Sequence, residues 1–206
     1  MIKSRTVHRI CAVILALFIL SHLAVHLTAV RSAEAHNYAL NAVQWIYRNP
    51  IGETLLVLAI LTQIVSGWRR LKFKRRSKNI WARLQVYSGL YLIFFLIIHT
   101  SAALFTHHIF GIETDFHWAA GSLHFTPLKY GFALYYFLAV MSVFVHWSCA
   151  LHFGWRGRWP VIKMGLPVVG AIIAVFILAA FWGAFYSIII PDDVTAYYAK
   201  YFPGID

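Results

Sequence analysis

Five stretches of this chain are apolar for long enough to cross a lipid bilayer, which sets the fold class before any motif is considered. They cover residues 7–30, 51–68, 84–105, 132–153 and 161–190. A hydrocarbon core of about 30 Å needs roughly 20 apolar residues in helical conformation, and each block meets or approaches that length. The second is the shortest. Hydrocarbon offers no water to pair with backbone N–H and C=O groups, so segments of this kind are helical. The sequence therefore predicts an all-α integral membrane protein, a five-helix transmembrane bundle forming one domain over residues 1–206. Composition agrees, since only 12% of residues are charged, against roughly a quarter in a soluble domain.

The basic residues fall on one side of these blocks. Lys3, Arg5 and Arg9 precede the first; Arg69, Arg70, Lys72, Lys74, Arg75, Arg76, Lys78 and Arg83 fill the turn after the second; Arg156, Arg158 and Lys163 lie before the fifth. Arg31, Arg48, Lys129 and Lys200 share the other side with all seven acids. The positive-inside rule then predicts a cytoplasmic N-terminus and an external C-terminus, in a bacterial-type inner membrane. The net charge of +11 is a topology signal, with anionic lipid or an acidic partner as secondary readings, and gives no support to nucleic-acid binding.

The first block follows a basic start, and Ala33-Glu34-Ala35 resembles a signal-peptidase site. The apolar run exceeds the roughly 7–15 residues of a signal h-region, which favours a retained anchor. Cys11 and Cys149 lie inside spans and read as small buried residues. No C-x-x-C-H is present, so covalent haem attachment is excluded and b-type haem is the form available. Without a P-loop, GxGxxG or CxxC cluster, nucleotide or iron–sulfur chemistry belongs to another chain.

Chemistry enters through His22, His26, His99 and His146, which lie at membrane depth. Ionisable side chains are costly there and mark functional sites by default. Cys11-Ala12 precedes His22 by the same interval at which Ser88-Gly89 precedes His99. At 1.5 Å per residue, His22 lies roughly 20 Å from Arg9 and His99 roughly 24 Å from Arg83. Two parallel helices thus present imidazoles at matched depth in the outer half of the bilayer, an arrangement suited to the two axial positions of one haem iron. His26 shares the face of His22 one turn outward. The repeat interval favours His22 as ligand and leaves His26 for a propionate or a quinone. His146 is placed nearer the cytoplasm, with Gln63 as the polar residue at similar depth on the second span. It serves either as the ligand of a five-coordinate haem or in a polar contact with Gln63.

The run from Val7-His8-Arg9 through Cys11-Ala12 to Ser21-His22-Leu23, then Leu84-Gln85-Val86-Tyr87-Ser88-Gly89 to Ile98-His99-Thr100, then Ser142-Val143-Phe144-Val145-His146-Trp147, resembles the five-helix membrane cytochrome b subunit of succinate dehydrogenase and fumarate reductase. The likeness covers four spans in order, with the fifth matched by apolarity. It implies a non-catalytic subunit that anchors a flavoprotein and an iron–sulfur protein and exchanges electrons with membrane quinone. Axial roles pass to His22 and His99 for the outer haem, and one inner axial role to His146. Gln63 stands where the family presents the partner histidine, which implies one haem b and leaves a second without its full ligand set. His8 and Arg9 become candidates for contact with quinone and haem propionates, beside the commoner role of basic anchors at the interface.

Glu53 begins the second span as a proton relay or as a carboxylate favoured by the helix dipole. His107, His108, His117 and His124 occupy the outer loop without a recognisable ligand spacing. The aromatic tail 196–203 reads as a segment on the outer membrane surface. Two rival readings stay open: a haem-free anchor or assembly protein, and a free-standing quinone-reactive cytochrome b.

Overall fold

The computed structural model describes residues 4–74, 78–154, 158 and 160–204. Lys3, Arg75, Arg76 and Arg156 of the basic segments lie outside the described residues, as do the side chains of Arg5, Lys72 and Lys74. The described chain forms α1 (Ser4–Thr28), α2 (Ala33–Tyr47), α3 (Pro50–Lys74), α4 (Ile80–His108), α5 (Phe116–Gly121), α6 (Leu128–Gly154), α7 (Pro160–Phe181) and α8 (Asp192–Tyr201). Five of them, α1, α3, α4, α6 and α7, are long and apolar enough to span a membrane. Their outward faces are bare hydrocarbon, as at Val13, Leu17, Leu58, Val168 and Ile172.

Side-chain pairs fix the direction of each helix. Early α1 meets late α3 through His8 and Ser66. Glu53 at the start of α3 meets His108 at the end of α4. Ser88 near the start of α4 meets His146 near the end of α6, and Ser148 of α6 meets Lys163 at the start of α7. Neighbours in this series are therefore antiparallel. The N-terminus and the basic turns share one end, here the basic end. The short helices α2, α5 and α8 cover the opposite, acidic end. Contact between α1 and α7 closes the ring, while α1 and α4 are not in direct backbone contact.

Helix limits have local causes. Asn49 caps α3 by accepting the Gly52 N–H at 2.9 Å, and Pro50 fills the first helical position, where a missing N–H costs nothing. Charged residues continue α3 to Lys74, beyond the predicted limit at 68. In contrast, α7 stops at Phe181 although apolarity predicts helix to 190. Gly183 adopts φ +83°, and Ala184 and Gly183 donate to the carbonyls of Ala179 and Ala180. This glycine-terminated cap overrides the hydrophobic signal.

Pro167 lies within α7. Having no N–H, it leaves the carbonyl four residues earlier, that of Lys163, without its helical donor. The buried Ser148 hydroxyl donates to that carbonyl. Ser148→Ala is expected to cost about 1–3 kcal/mol, the penalty for a buried unpaired carbonyl. Thermal unfolding of the detergent-solubilised chain checks this, and an unchanged midpoint would refute the pairing.

Candidate functional site

The space between α1 and α4 is a cavity of about 970 Å³, walled also by α3, α6 and α7. His22, His26, His99 and His146 all line it, with His8, Arg9 and Gln63 toward the basic end. The histidine positions singled out in the sequence thus converge on one internal space.

In its deeper part, the rings of His22 and His99 meet in an edge-on arrangement, with centroids 6.1 Å apart and planes at 65°. Phe18 stacks on His22 and Phe95 on His99. Among the described residues no hydrogen bond engages the His99 imidazole. His22 is engaged by His26, Nε2 to Nε2, at 3.1 Å. His26 in turn meets His36 of α2 at 3.0 Å, and His36 Nδ1 meets Asn37 Oδ1 at 3.2 Å.

The tautomers along this chain follow from its end. Asn37 accepts the Phe116 N–H through Oδ1 and donates to Asp115 through Nδ2, so its amide orientation is assigned by two partners. An amide oxygen only accepts, hence His36 carries its proton on Nδ1. Burial holds the His36 imidazole below its ordinary pKa, against smaller raising effects of Asn37 and Asp115. A neutral His36 accepts from His26 Nδ1–H, and His26 accepts from His22 Nε2–H. Releasing His22 Nε2 from His26 forfeits one hydrogen bond, about 0.5–1.5 kcal/mol.

Toward the basic end, Ser88 donates to the Leu84 carbonyl and so accepts from His146 Nδ1 at 3.2 Å. Gly89 makes this possible, since a Cβ there would lie 3.3 Å from the His146 ring. Gln63 engages His8 at 3.4 Å, and His8 Nδ1 lies 2.8 Å from Ser66. Through its contact with His8, Gln63 faces α1. The Gln63 carbonyl oxygen is buried without a partner. His152 does not line the cavity; its ring stacks on Trp81 at 4.4 Å.

At the acidic end Glu53 is more than a helix-start carboxylate. It lies 2.6 Å from His108 Nε2 and 4.0 Å from Arg48. His107 packs against His108, His117 pairs with Asp115 at 3.4 Å, and His124 donates to the Phe181 carbonyl at 2.9 Å. The aromatic tail folds back on the bundle, with the buried Tyr198 donating to the Trp118 carbonyl at 2.9 Å. Sequence reasoning missed His36, Asn37 and Trp118, which sit on short helices between the spans.

Among the described residues no three His, Cys, Asp or Glu side chains converge on one metal position. A haem needs fewer protein ligands than a bare metal ion, and His22 and His99, both lining the cavity, are the residues that would hold one. The chain matches no protein-family model, no curated protein and no solved structure.

Proposed function

We propose that the chain is a membrane cytochrome b that carries electrons between membrane quinone and a soluble redox partner. The observation that carries this reading is the His22–His99 pair meeting in an internal cavity between two parallel helices. The family resemblance supports it, extending the partner to the iron–sulfur and flavoprotein subunits of a succinate dehydrogenase or fumarate reductase complex. The basic end then faces the cytoplasm of a bacterial-type cell.

Haem b held between these rings would supply a one-electron site inside the bilayer. His22 and His99 would hold it, with Phe18 and Phe95 stacked on their rings; His22 Nε2 would leave His26, which keeps its bond to His36. Apolar walls from α3, α6 and α7 keep water away. At the basic end, His8, Gln63 and Arg9 offer donors and acceptors to a quinone headgroup. His146 stands opposite them without a second histidine on α3, so the expected load is one haem per chain. Oxidised and reduced visible spectra of the purified chain, with a haem assay, test both points. A single low-spin b-type haem supports the reading, whereas two overturn the assignment of the basic end.

A soluble partner would dock on the basic turn around residues 69–83, whose eight cations have no acid among them. Exposed charge pairing is screened over about 10 Å at 0.1 M salt. Co-purification of the partner is therefore expected to fall steeply as salt rises. Retention at high salt would assign the turn to topology and lipid contact alone.

The second reading, a haem-free anchor, draws on the His22–His26–His36 line, in which three imidazoles satisfy one another without a cofactor. The same spectra decide between the two.

A further inference from the structure

The cavity is walled on most sides, with an opening between α1 and α6. Five of its lining residues are also exposed: Arg9 and Val13 on α1, and Ala150, Phe153 and Gly154 on α6. All five lie in the basic half of their helix. Val13 is 62% exposed and Phe153 41%. Helix α7 packs against both helices but lines the cavity only with Ile177, Leu178 and Phe181, all in its acidic half. Toward the basic end nothing described replaces it: α1 and α6 make no direct backbone contact among the described residues, and a Cβ at Gly154 would meet nothing within 4 Å. Residues four apart share a helix face, so Arg9 and Val13 edge the opening on one side, and His146, Ala150 and Gly154 line the other. The opening therefore extends at least one turn, about 6 Å, into the apolar spans. Its polarity changes with depth into the bundle. Val13, Ala150 and Phe153 meet the bilayer, while His8, Gln63 and His146 lie inside, where His8 engages Ser66 and Gln63 and His146 engages Ser88.

We infer that this opening is a lateral portal for a prenylated quinone, whose headgroup enters the cavity from the bilayer while the tail stays seated between Val13 and Ala150. The inference rests on the quinone reading above and names the substrate class, a quinone with a long apolar tail. A polar head inside and an apolar tail at the edge reproduce the polarity of the opening. A phospholipid presents the reverse order. Its charged headgroup stays at the water interface, so its acyl chain would have to fill the interior and set hydrocarbon against imidazole and amide groups. A water-soluble carrier gains nothing from an apolar edge that faces lipid.

The test uses the full-length chain in detergent with two photoreactive quinones, one carrying a diazirine on the first prenyl unit of its tail, the other tail-less with the diazirine on its ring. Peptide mapping locates the labels, and excess unlabelled tailed quinone shows which of them are saturable. The tail probe is expected to label α1 and α6 around Val13 and Ala150, and the tail-less probe to label residues around His8 and Gln63. Val13→Trp and Ala150→Trp narrow the opening from either side. Each should lower saturable tail labelling about tenfold, within the range that a misfitting group costs in an apolar pocket, and leave the tail-less label unchanged. The labelling map of the native chain reports even if a variant fails to fold. Saturable tail labelling elsewhere, undiminished labelling in both variants, or displacement by phospholipid but not by quinone overturns the portal alone. Absence of saturable labelling by either probe overturns the quinone reading and the portal together.

Discussion

His99→Ala is expected to abolish the low-spin b-type spectrum completely while the chain still inserts in the membrane. Low-spin haem iron needs both imidazoles, and His99 supplies, from another helix, the ring 6.1 Å from His22 in the cavity. His99 also has no hydrogen-bond partner among the described residues, so its removal leaves no broken polar pair behind. His22→Ala is expected to give the same spectral loss, with an added structural cost because His26 loses its partner at 3.1 Å. His26→Ala should keep the low-spin bands, since the proposed ligand pair is His22 and His99 and His26 only bonds His22. Loss of the bands in His26→Ala together with their survival in His22→Ala would move the axial ligand one turn along α1. Retention in His99→Ala would remove the haem site from this cavity.

What the sequence showed and what it hid follow from the same physics. The spans were legible because length and apolarity alone decide whether a helix can cross hydrocarbon. Their ends were less so: α7 stops at a glycine cap that a hydropathy window does not register, and α3 runs on through charged residues. Helices α2, α5 and α8 were missed because elements of 15, 6 and 10 residues fall below the length on which the reading relied. The depth match of His22 and His99 was readable from two equal intervals. Partner choice was not, because a helix that is apolar on every side gives no sign of which face meets which neighbour. Hence the pairing of Gln63 with His8 emerges only from the packing of α3 on α1. His36 escaped for a related reason. Its significance lies in reaching His26 from a helix outside the spans, a contact set by tertiary structure.

The second large effect is expected where α6 and α7 cross most closely. A Cβ placed at Gly170 would lie 2.7 Å from the Cβ and Cγ of Phe144, closer than atoms of this kind can approach. Phe144 is 4% exposed and belongs to the main apolar core with Val143, Ile177 and Phe181, so it has little room to retreat. Small residues at such crossings let helix backbones approach and gain dispersion contacts where lipid offers no hydrophobic advantage. Gly170→Ala is expected to cost about 1–3 kcal/mol, the range for overpacking a well-filled core, and Gly170→Leu more than that. Gly165, on the same helix with nothing within 4 Å of its missing Cβ, supplies the comparison: Gly165→Ala should leave stability nearly unchanged. Thermal unfolding of the three variants in one detergent checks the order. Similar midpoints for Gly170→Leu and the native chain would mean that α6 and α7 do not meet here. The consequence reaches the site, because Val143 and Ile177 also line the cavity. Forcing the two helices apart shifts that wall, so haem retention should fall in Gly170→Leu while the low-spin band positions of the bound fraction stay fixed by His22 and His99.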